Sequence, residues 1–287
     1  MLSPLQKAGV LTEALPYIQA FYDKIVVIKY GGGAMVDPAL EELVLKDVIL
    51  MKLIGMKPVL VHGGGPMINH WLERLDIRPE FIDGLRVTDE VTMEVVEMVL
   101  AGRLNKGIVS RIQGLGGRAV GLCGKDGGMI RARRVEGDRD LGLVGEILSA
   151  DPGLIQTLID QGFIPVVSSV AAGQKGESLN INADTMASAL GGALRAHKLV
   201  LLTDVEGIFL GEGDGRRLAS SLLAAEIPGL IASGALTGGM IPKAKGCLEA
   251  VEQGVENVHI IDGRQPHALL LEIFTKEGIG TWVKKAD

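Results

Sequence analysis

The sequence predicts an α/β fold with a mainly parallel central sheet covered by helices on both faces, entered through a kinked N-terminal helix. Three observations carry that prediction. Short apolar runs alternate with segments whose apolar residues recur at helical spacing. The runs are apolar at consecutive positions, as strands buried on both faces are. Glycine occupies 40 of 287 positions, close to twice its average use of roughly 7%, and no repeat explains it, so the glycines answer local geometric needs.

Ser3-Pro4 reads as an N-cap followed by proline at the first helical position, and Leu5, Ala8, Leu11, Leu15 and Ile18 follow at helical spacing. Pro16 removes a backbone donor inside this helix, so a kink or break is expected near Leu15. Its apolar face needs a partner, either its own domain or a second subunit. The first strand is Ile25 to Tyr30, followed by a helix capped at Asp37-Pro38 that runs to about Gly55, and then by a strand from Pro58 to His62. Helices after Pro66 and after Thr88 lead to a strand from Arg118 to Leu122. The stretch Gly124 to Glu146 reads as an inserted hairpin. Strands at Phe163 to Ser168, Lys198 to Leu202 and Val258 to Ile261 alternate with helices near Asp151 to Gln161, Ala183 to Leu194, Ser220 to Ser233 and Pro242 to Gln253. No linker rich in Pro, Ser or charge separates lobes, so one continuous sheet is expected.

A net charge of −6, without a Lys/Arg cluster, argues against nucleic acid as the main partner. Cys123 and Cys247 match no metal or C-x-x-C spacing and read as two inert thiols in a reducing cytoplasm. Neither a signal-like start nor an apolar run approaching the ~18 residues of a membrane span is present, so a cytoplasmic protein is expected.

Five constellations could carry chemistry. Lys29-Tyr30-Gly31-Gly32-Gly33 and His62-Gly63-Gly64-Gly65-Pro66 each follow a buried strand directly. Glycines there allow positive φ, close approach of a ligand and a nest of backbone N–H groups for an anion. In a parallel sheet both loops fall on the carboxyl edge, where ligands bind. Either triplet alone could be a tight turn; two together, one beside a lysine, favour a phosphate site. The third constellation, Asn180-Ile181-Asn182-Ala183-Asp184, opens a helix and could be no more than its cap. The fourth, Thr203-Asp204-Val205-Glu206, turns out of a strand end. The fifth, Gly238-Gly239-Met240-Ile241-Pro242-Lys243, puts a lysine in the first turn of a helix, where a cation is unfavourable unless an anion is bound. The P-loop pattern fails because Gly124-Lys125 is followed by Asp126, and Gly114 to Ala119 lies after a helix rather than after a strand, against a dinucleotide fingerprint. Of the five histidines, only His62 has a neighbourhood that raises a catalytic role.

These five segments, in this order and across essentially the whole chain, resemble the amino-acid kinase family. Gly84-Leu85-Arg86-Val87-Thr88 with Asn180-Ile181-Asn182-Ala183-Asp184 is similar to its acetylglutamate-phosphorylating branch. The resemblance implies a carbamate kinase-like fold and transfer of the ATP γ-phosphoryl group, with Mg²⁺, to the side-chain carboxylate of N-acetyl-L-glutamate, a step of arginine biosynthesis. It implies that Lys29 and Lys243 meet the phosphoryl group from opposite sides, and that Asp184 holds both lysines. Gly31, Gly32, Gly64 and Gly65 would supply backbone donors, Gly64 and Gly65 beside the substrate as well, while Arg86 clamps its α-carboxylate and Asn180 its acetylamino end. Thr203, Asp204, Gly238 and Gly239 would hold the nucleotide. Gly33 stands where relatives vary.

By the same resemblance, residues 1–22 form an oligomerisation helix, 23–194 the acyl-substrate lobe and 195–287 the ATP lobe. Ala14-Leu15-Pro16-Tyr17, His267 to Thr275 and Gly278-Ile279-Gly280-Thr281 are similar to the arginine-inhibited, hexameric branch. Tyr17, Glu272 and Gly278 would then form an L-arginine site; the competing reading of Glu272 is a surface charge on an amphipathic last helix. A PII-type regulator is compatible with the resemblance. The alternatives are kinases of the same fold acting on aminoadipate derivatives, uridylate, carbamate, aspartate or the glutamate 5-carboxylate, which the Arg86 and Asn180 segments disfavour. A non-catalytic acetylglutamate or arginine sensor is disfavoured by the intact Lys29, Asp184 and Lys243.

Overall fold

In the computed structural model, residues 3–35, 37–137, 139–211, 215–275 and 278–285 are described. The opening helix breaks where proline requires it: Pro4–Glu13, capped by Ser3, ends at Ala14, and Leu15–Phe21 begins anew with Pro16 in its first turn. Leu5, Val10, Leu11 and Leu15 of this segment are exposed.

The main sheet has eight strands in the order Ser221–Leu223, Thr281–Lys284, Asn257–Asp262, Lys198–Thr203, Ile25–Tyr30, Lys57–His62, Ile164–Ser168 and Ala119–Cys123. All neighbours from Asn257–Asp262 to Ala119–Cys123 pair in parallel. Thr281–Lys284 pairs antiparallel with Asn257–Asp262 and parallel with Ser221–Leu223, closing one side. The sheet runs without interruption across residue 195.

Alternation along the strands divides the core into two layers. Val27, Val59, Val61, Leu199 and Leu201 belong to one cluster, with Ile68, Val96, Ile155, Met186 and Ala244 from the helices packed on that face. Val26, Ile28, Tyr30, Leu60, Val200 and Leu202 belong to the other, with Leu45, Val48, Ile108, Ile112 and Leu269. Both faces are therefore covered, which is why these strands read as continuous apolar runs.

Two features depart from expectation. The predicted helix Ser220 to Ser233 is instead a strand, Ser221–Leu223, a 3₁₀ turn and the short helix Ile227–Ala232. The edge strand Thr281–Lys284 offers Ser221–Leu223 a pairing partner that helical periodicity cannot reveal. The expected hairpin exists, Ile130–Arg134 with Gly145–Ala150, but it belongs to a separate four-stranded sheet with Val170–Ala172 and Ser178–Asn180. Among the described residues both cysteines are free thiols, Cys247 buried with its thiol pushed up to about 12 by desolvation. No helix among them is long and apolar enough to cross a membrane.

Candidate phosphoryl-transfer site

Tyr30 and His62 are register partners in adjacent parallel strands, so the loops after them leave the sheet side by side. Gly32 has φ +67°, and a Cβ there would come within 2.5 Å of Asp204 Oδ1. A side chain at Gly31 would come 2.7 Å from Lys29 Nζ, which folds back over this loop. The Gly33 N–H donates to Asp204 Oδ1 at 2.5 Å, joining the loop to the strand end on its other side. Gly64 caps the helix Gly65–Arg74 without a side-chain hydrogen bond, leaving the first-turn amides for another acceptor.

The third segment starts a helix over these loops. Asn182, not Asn180, is the cap, accepting the N–H groups of Asp184 (2.8 Å) and Thr185 (3.2 Å). A Cβ on Gly63 would meet that of Ala183 at 3.2 Å. Asp184 Oδ1 lies 3.1 Å from Lys29 Nζ, an ion pair without hydrogen-bond alignment, and that buried oxygen has no hydrogen-bond partner. Lys243 donates instead to Thr203 Oγ1 at 3.0 Å, so Asp184 is paired with one of the two lysines. Gly238, at φ +54°, and Gly239 lead into the Lys243 helix.

Arg86 arrives from a small hairpin, Phe81–Ile82 with Leu85–Arg86, turned by Asp83 and Gly84 at φ 51° and 81°. Positive φ at both positions is what an Asp-Gly hairpin turn supplies. Asp-Gly was therefore an available signal for an element that periodicity missed. The guanidinium lies 4.7 Å over the cross-strand Phe81 ring, and Arg86 as a residue is 7% exposed. Its Nη2 donates to Asn69 Oδ1 (2.6 Å) and Gly65 O (3.3 Å), while the buried Nη1 has no partner. Asn180 donates to Thr88 Oγ1 at 3.2 Å, and Thr88 donates to the Arg86 carbonyl at 2.8 Å.

Lys29, Gly31, Gly32, Gly64, Gly65, Arg86 and Asn180 all line one cavity of about 710 Å³. Thr203, Asp204, Gly238, Gly239 and Lys243 do not line it. The Lys243–Thr203 bond and the Gly33–Asp204 bond hold their segments along the adjoining part of the same edge. His62 is not a free base: its Nδ1 faces Gly63 O at 2.9 Å and its Nε2 faces Asn105 Nδ2 at 3.1 Å. Complete burial pushes it down to about 4. A neutral ring donating from Nδ1 and accepting at Nε2 satisfies both contacts.

The amino acid kinase family model matches residues 24–262. The chain belongs to the amino acid kinase family. It is 58% identical over 295 residues to the acetylglutamate kinase of Heliobacterium modesticaldum, covering 99% of this chain and 100% of that one. Among solved structures it is similar to the N-acetylglutamate synthase of Neisseria gonorrhoeae complexed with coenzyme A and N-acetyl-glutamate, with TM-score 0.85 and 26% identity. That match covers 98% of this chain and 64% of the synthase, so the chain spans about two thirds of that protein's length. The carbamate kinase of Giardia lamblia bound to AMP-PNP shares the fold at TM-score 0.68 and 18% identity, over 92% of this chain and 99% of that one.

In this amino acid kinase a second group of charges gathers at the opposite, amino end of the sheet. Glu272 is buried rather than a surface charge. It accepts from His259 Nδ1 (2.5 Å) and from the N–H groups of Ile279 (2.7 Å) and Gly280 (3.2 Å). These hydrogen bonds outweigh burial and hold its carboxyl below the usual range. Lys198 reaches His259 Nε2 at 3.0 Å, and burial pushes its ammonium down to about 8. Tyr17 packs edge-on against Phe274 at 6.3 Å, and a Cβ on Gly278, φ +62°, would meet Glu272 Oε2 at 2.8 Å. Gly278 thus neighbours Glu272, and Tyr17 touches the helix that carries Glu272 through Phe274. Lys198 and His259 were missed in the sequence because each looks like an ordinary residue of an apolar strand.

Proposed function

We propose that this chain transfers the γ-phosphoryl group of ATP to the side-chain carboxylate of N-acetyl-L-glutamate, yielding N-acetyl-L-glutamyl 5-phosphate and ADP in arginine biosynthesis. The observation that carries the reading is Arg86: a buried guanidinium with an unpartnered Nη1 in a cavity whose wall also carries Lys29 and both glycine loops. A carboxylate matches that fork, because it can accept from both of its nitrogens. With the α-carboxylate at Arg86 and the acetylamino group at Asn180, the side-chain carboxylate extends toward the glycines. Its oxygen forms the new bond to Pγ as the bond from Pγ to the ADP oxygen breaks.

Phosphoryl transfer asks the protein chiefly for in-line placement and charge stabilisation. Lys29, beside Asp184 and over Gly31, supplies one cation, and Lys243 at Thr203 supplies the other from the nucleotide side of the edge. Gly32, Gly64 and Gly65 supply backbone N–H donors, with Gly31 giving room for the Lys29 amine. Among the described residues no three His, Cys, Asp or Glu side chains converge as a metal cage. A Mg²⁺ brought by the nucleotide would neutralise phosphate charge at this site.

The reading includes inhibition by L-arginine at Tyr17, Glu272 and Gly278, with the N-terminal helix joining subunits into a hexamer. The closeness of Gly278 to Glu272 and the contact of Tyr17 with Phe274 on the Glu272 helix support it, as does the exposed apolar surface of the N-terminal helix. An ADP-release assay across N-acetylglutamate, glutamate, aspartate, carbamate and UMP, with and without arginine, tests the whole proposal. Turnover with N-acetylglutamate alone, depressed by arginine, is expected; preference for another acceptor overturns the substrate assignment.

A further inference from the structure

The helical run from Glu90 to Gly114 is interrupted by seven residues, Met98–Leu104, in π geometry. A π turn holds about one residue more than an α turn, so it re-aims every side chain that follows by about 100°. The consequence is visible at both ends of this turn. Asn105, just beyond it and fully buried, donates its amide to His62 Nε2 (3.1 Å), Leu122 O (3.2 Å) and Val166 O (2.9 Å), tying the helix to three strands. Within the turn, Leu100 and Leu104 lie against Gly64. A Cβ on Gly64 would come within 2.7 Å of Leu100 Cδ2 and would overlap Leu104 Cδ1 still more closely. Both leucines also line the cavity. Gly64 is thus fixed from one side by leucine methyls, while its neighbour Gly63 has its carbonyl held by the His62 ring.

Resting on the kinase reading above, we propose that Leu104, with Leu100, is a positioning residue for phosphoryl transfer. The π turn presses these side chains onto Gly64, setting the direction of the backbone donors of the second glycine loop. They act through the loop and not by contact with the reacting atoms. Backbone donors misplaced by a fraction of an ångström lose much of their worth to a transition state, so the effect belongs in kcat.

The test is size complementation. Leu104→Ala lowers kcat about 10- to 100-fold and leaves the KM for N-acetylglutamate, set at Arg86, within about twofold. Gly64→Ala keeps the N–H but collides with Leu104, and lowers kcat further. The double variant Gly64→Ala/Leu104→Ala regains at least about tenfold over Gly64→Ala, because the new methyl occupies the space vacated. Leu104→Met, which refills that space, retains kcat within about threefold. Thermal melting accompanies each variant, and if Gly64→Ala does not fold, the Leu104→Ala and Leu104→Met pair decides. Wild-type kcat in Leu104→Ala, a double variant no better than folded Gly64→Ala, or equal losses in the Met and Ala variants overturns the proposal. The wild-type protein separates the two readings: should it prefer another acceptor, the substrate assignment fails, and the same variants are read on that acceptor.

Discussion

The two ends of the main sheet gather charge in opposite ways. At the carboxyl end polar groups are left incomplete: Arg86 Nη1 and Asp184 Oδ1 are buried without hydrogen-bond partners. At the amino end Lys198, His259 and Glu272 form a closed chain, and the Glu272 carboxylate takes two further backbone N–H bonds. Buried polar groups are costly unless bonded, so an open group that lines a cavity, as Arg86 does, offers a ligand something to complete, whereas Asp47 Oδ2, also without a partner, lies outside that cavity. The contrast separates a cluster that offers unpaired donors and acceptors from one whose members already bond one another.

The sharpest way to break that contrast is at the lysines. Lys29→Ala and Lys243→Ala are each expected to lower turnover by ~10²- to 10³-fold, as loss of one preorganised contact to a transition state does. Their half-exposed partners should keep stability within about 1 kcal/mol of wild type. Wild-type turnover in either variant would remove that lysine from the mechanism. Arg86→Ala is expected to raise the KM for N-acetylglutamate about 30-fold or more and to lower kcat less; an unchanged KM defeats the clamp. Deleting the residues before Asp23 is expected to abolish hexamers in light scattering and to weaken inhibition by arginine. A truncated protein that stays hexameric and arginine-sensitive refutes the effector assignment.

The smallest effects are in pH dependence, and both groups make stability rise with pH, in different windows. His62 titrates near 4 in the fold and near 6.5 unfolded. Below about pH 6.5 the unfolded chain takes a proton that the fold refuses. Stability therefore falls as pH drops from there toward 4, by at most about 1.4 kcal/mol per unit from this group. Lys198 titrates near 8 rather than 10.5. Between those values the unfolded chain holds more protons, so its contribution makes stability rise with pH. Urea melts of His62→Gln and Lys198→Met against wild type should show shallower acid and alkaline slopes respectively; unchanged slopes would mean that neither group is held neutral by burial.

Much of this was legible in the residues. The apolar runs predicted the six strands from Asn257–Asp262 to Ala119–Cys123 to within one or two positions, since burial on both faces leaves a continuous signal. The Pro16 break and the Asp37 cap were legible because they depend on a residue's own backbone. Ser221–Leu223 was not, because three residues carry no periodicity and become a strand only beside Thr281–Lys284. The Lys29–Asp184 pair spans 155 positions, and the Arg86–Asn69 bond joins a hairpin to a helix. No local pattern encodes such distances.

By itself, then, the sequence determined the α/β class, the two glycine loops on one sheet edge, and the residue types from which a phosphate site is made. Those follow from hydrophobic period and from the conformational freedom of glycine, which act within a few residues. The tertiary structure alone decided which charges are left open and which are closed. It left Arg86 and Asp184 incomplete, made Glu272 a buried carboxylate, and turned His62 from a candidate base into a neutral strut. Desolvation and hydrogen-bond completion depend on what the rest of the chain brings to a group, and that is settled only when distant strands pack.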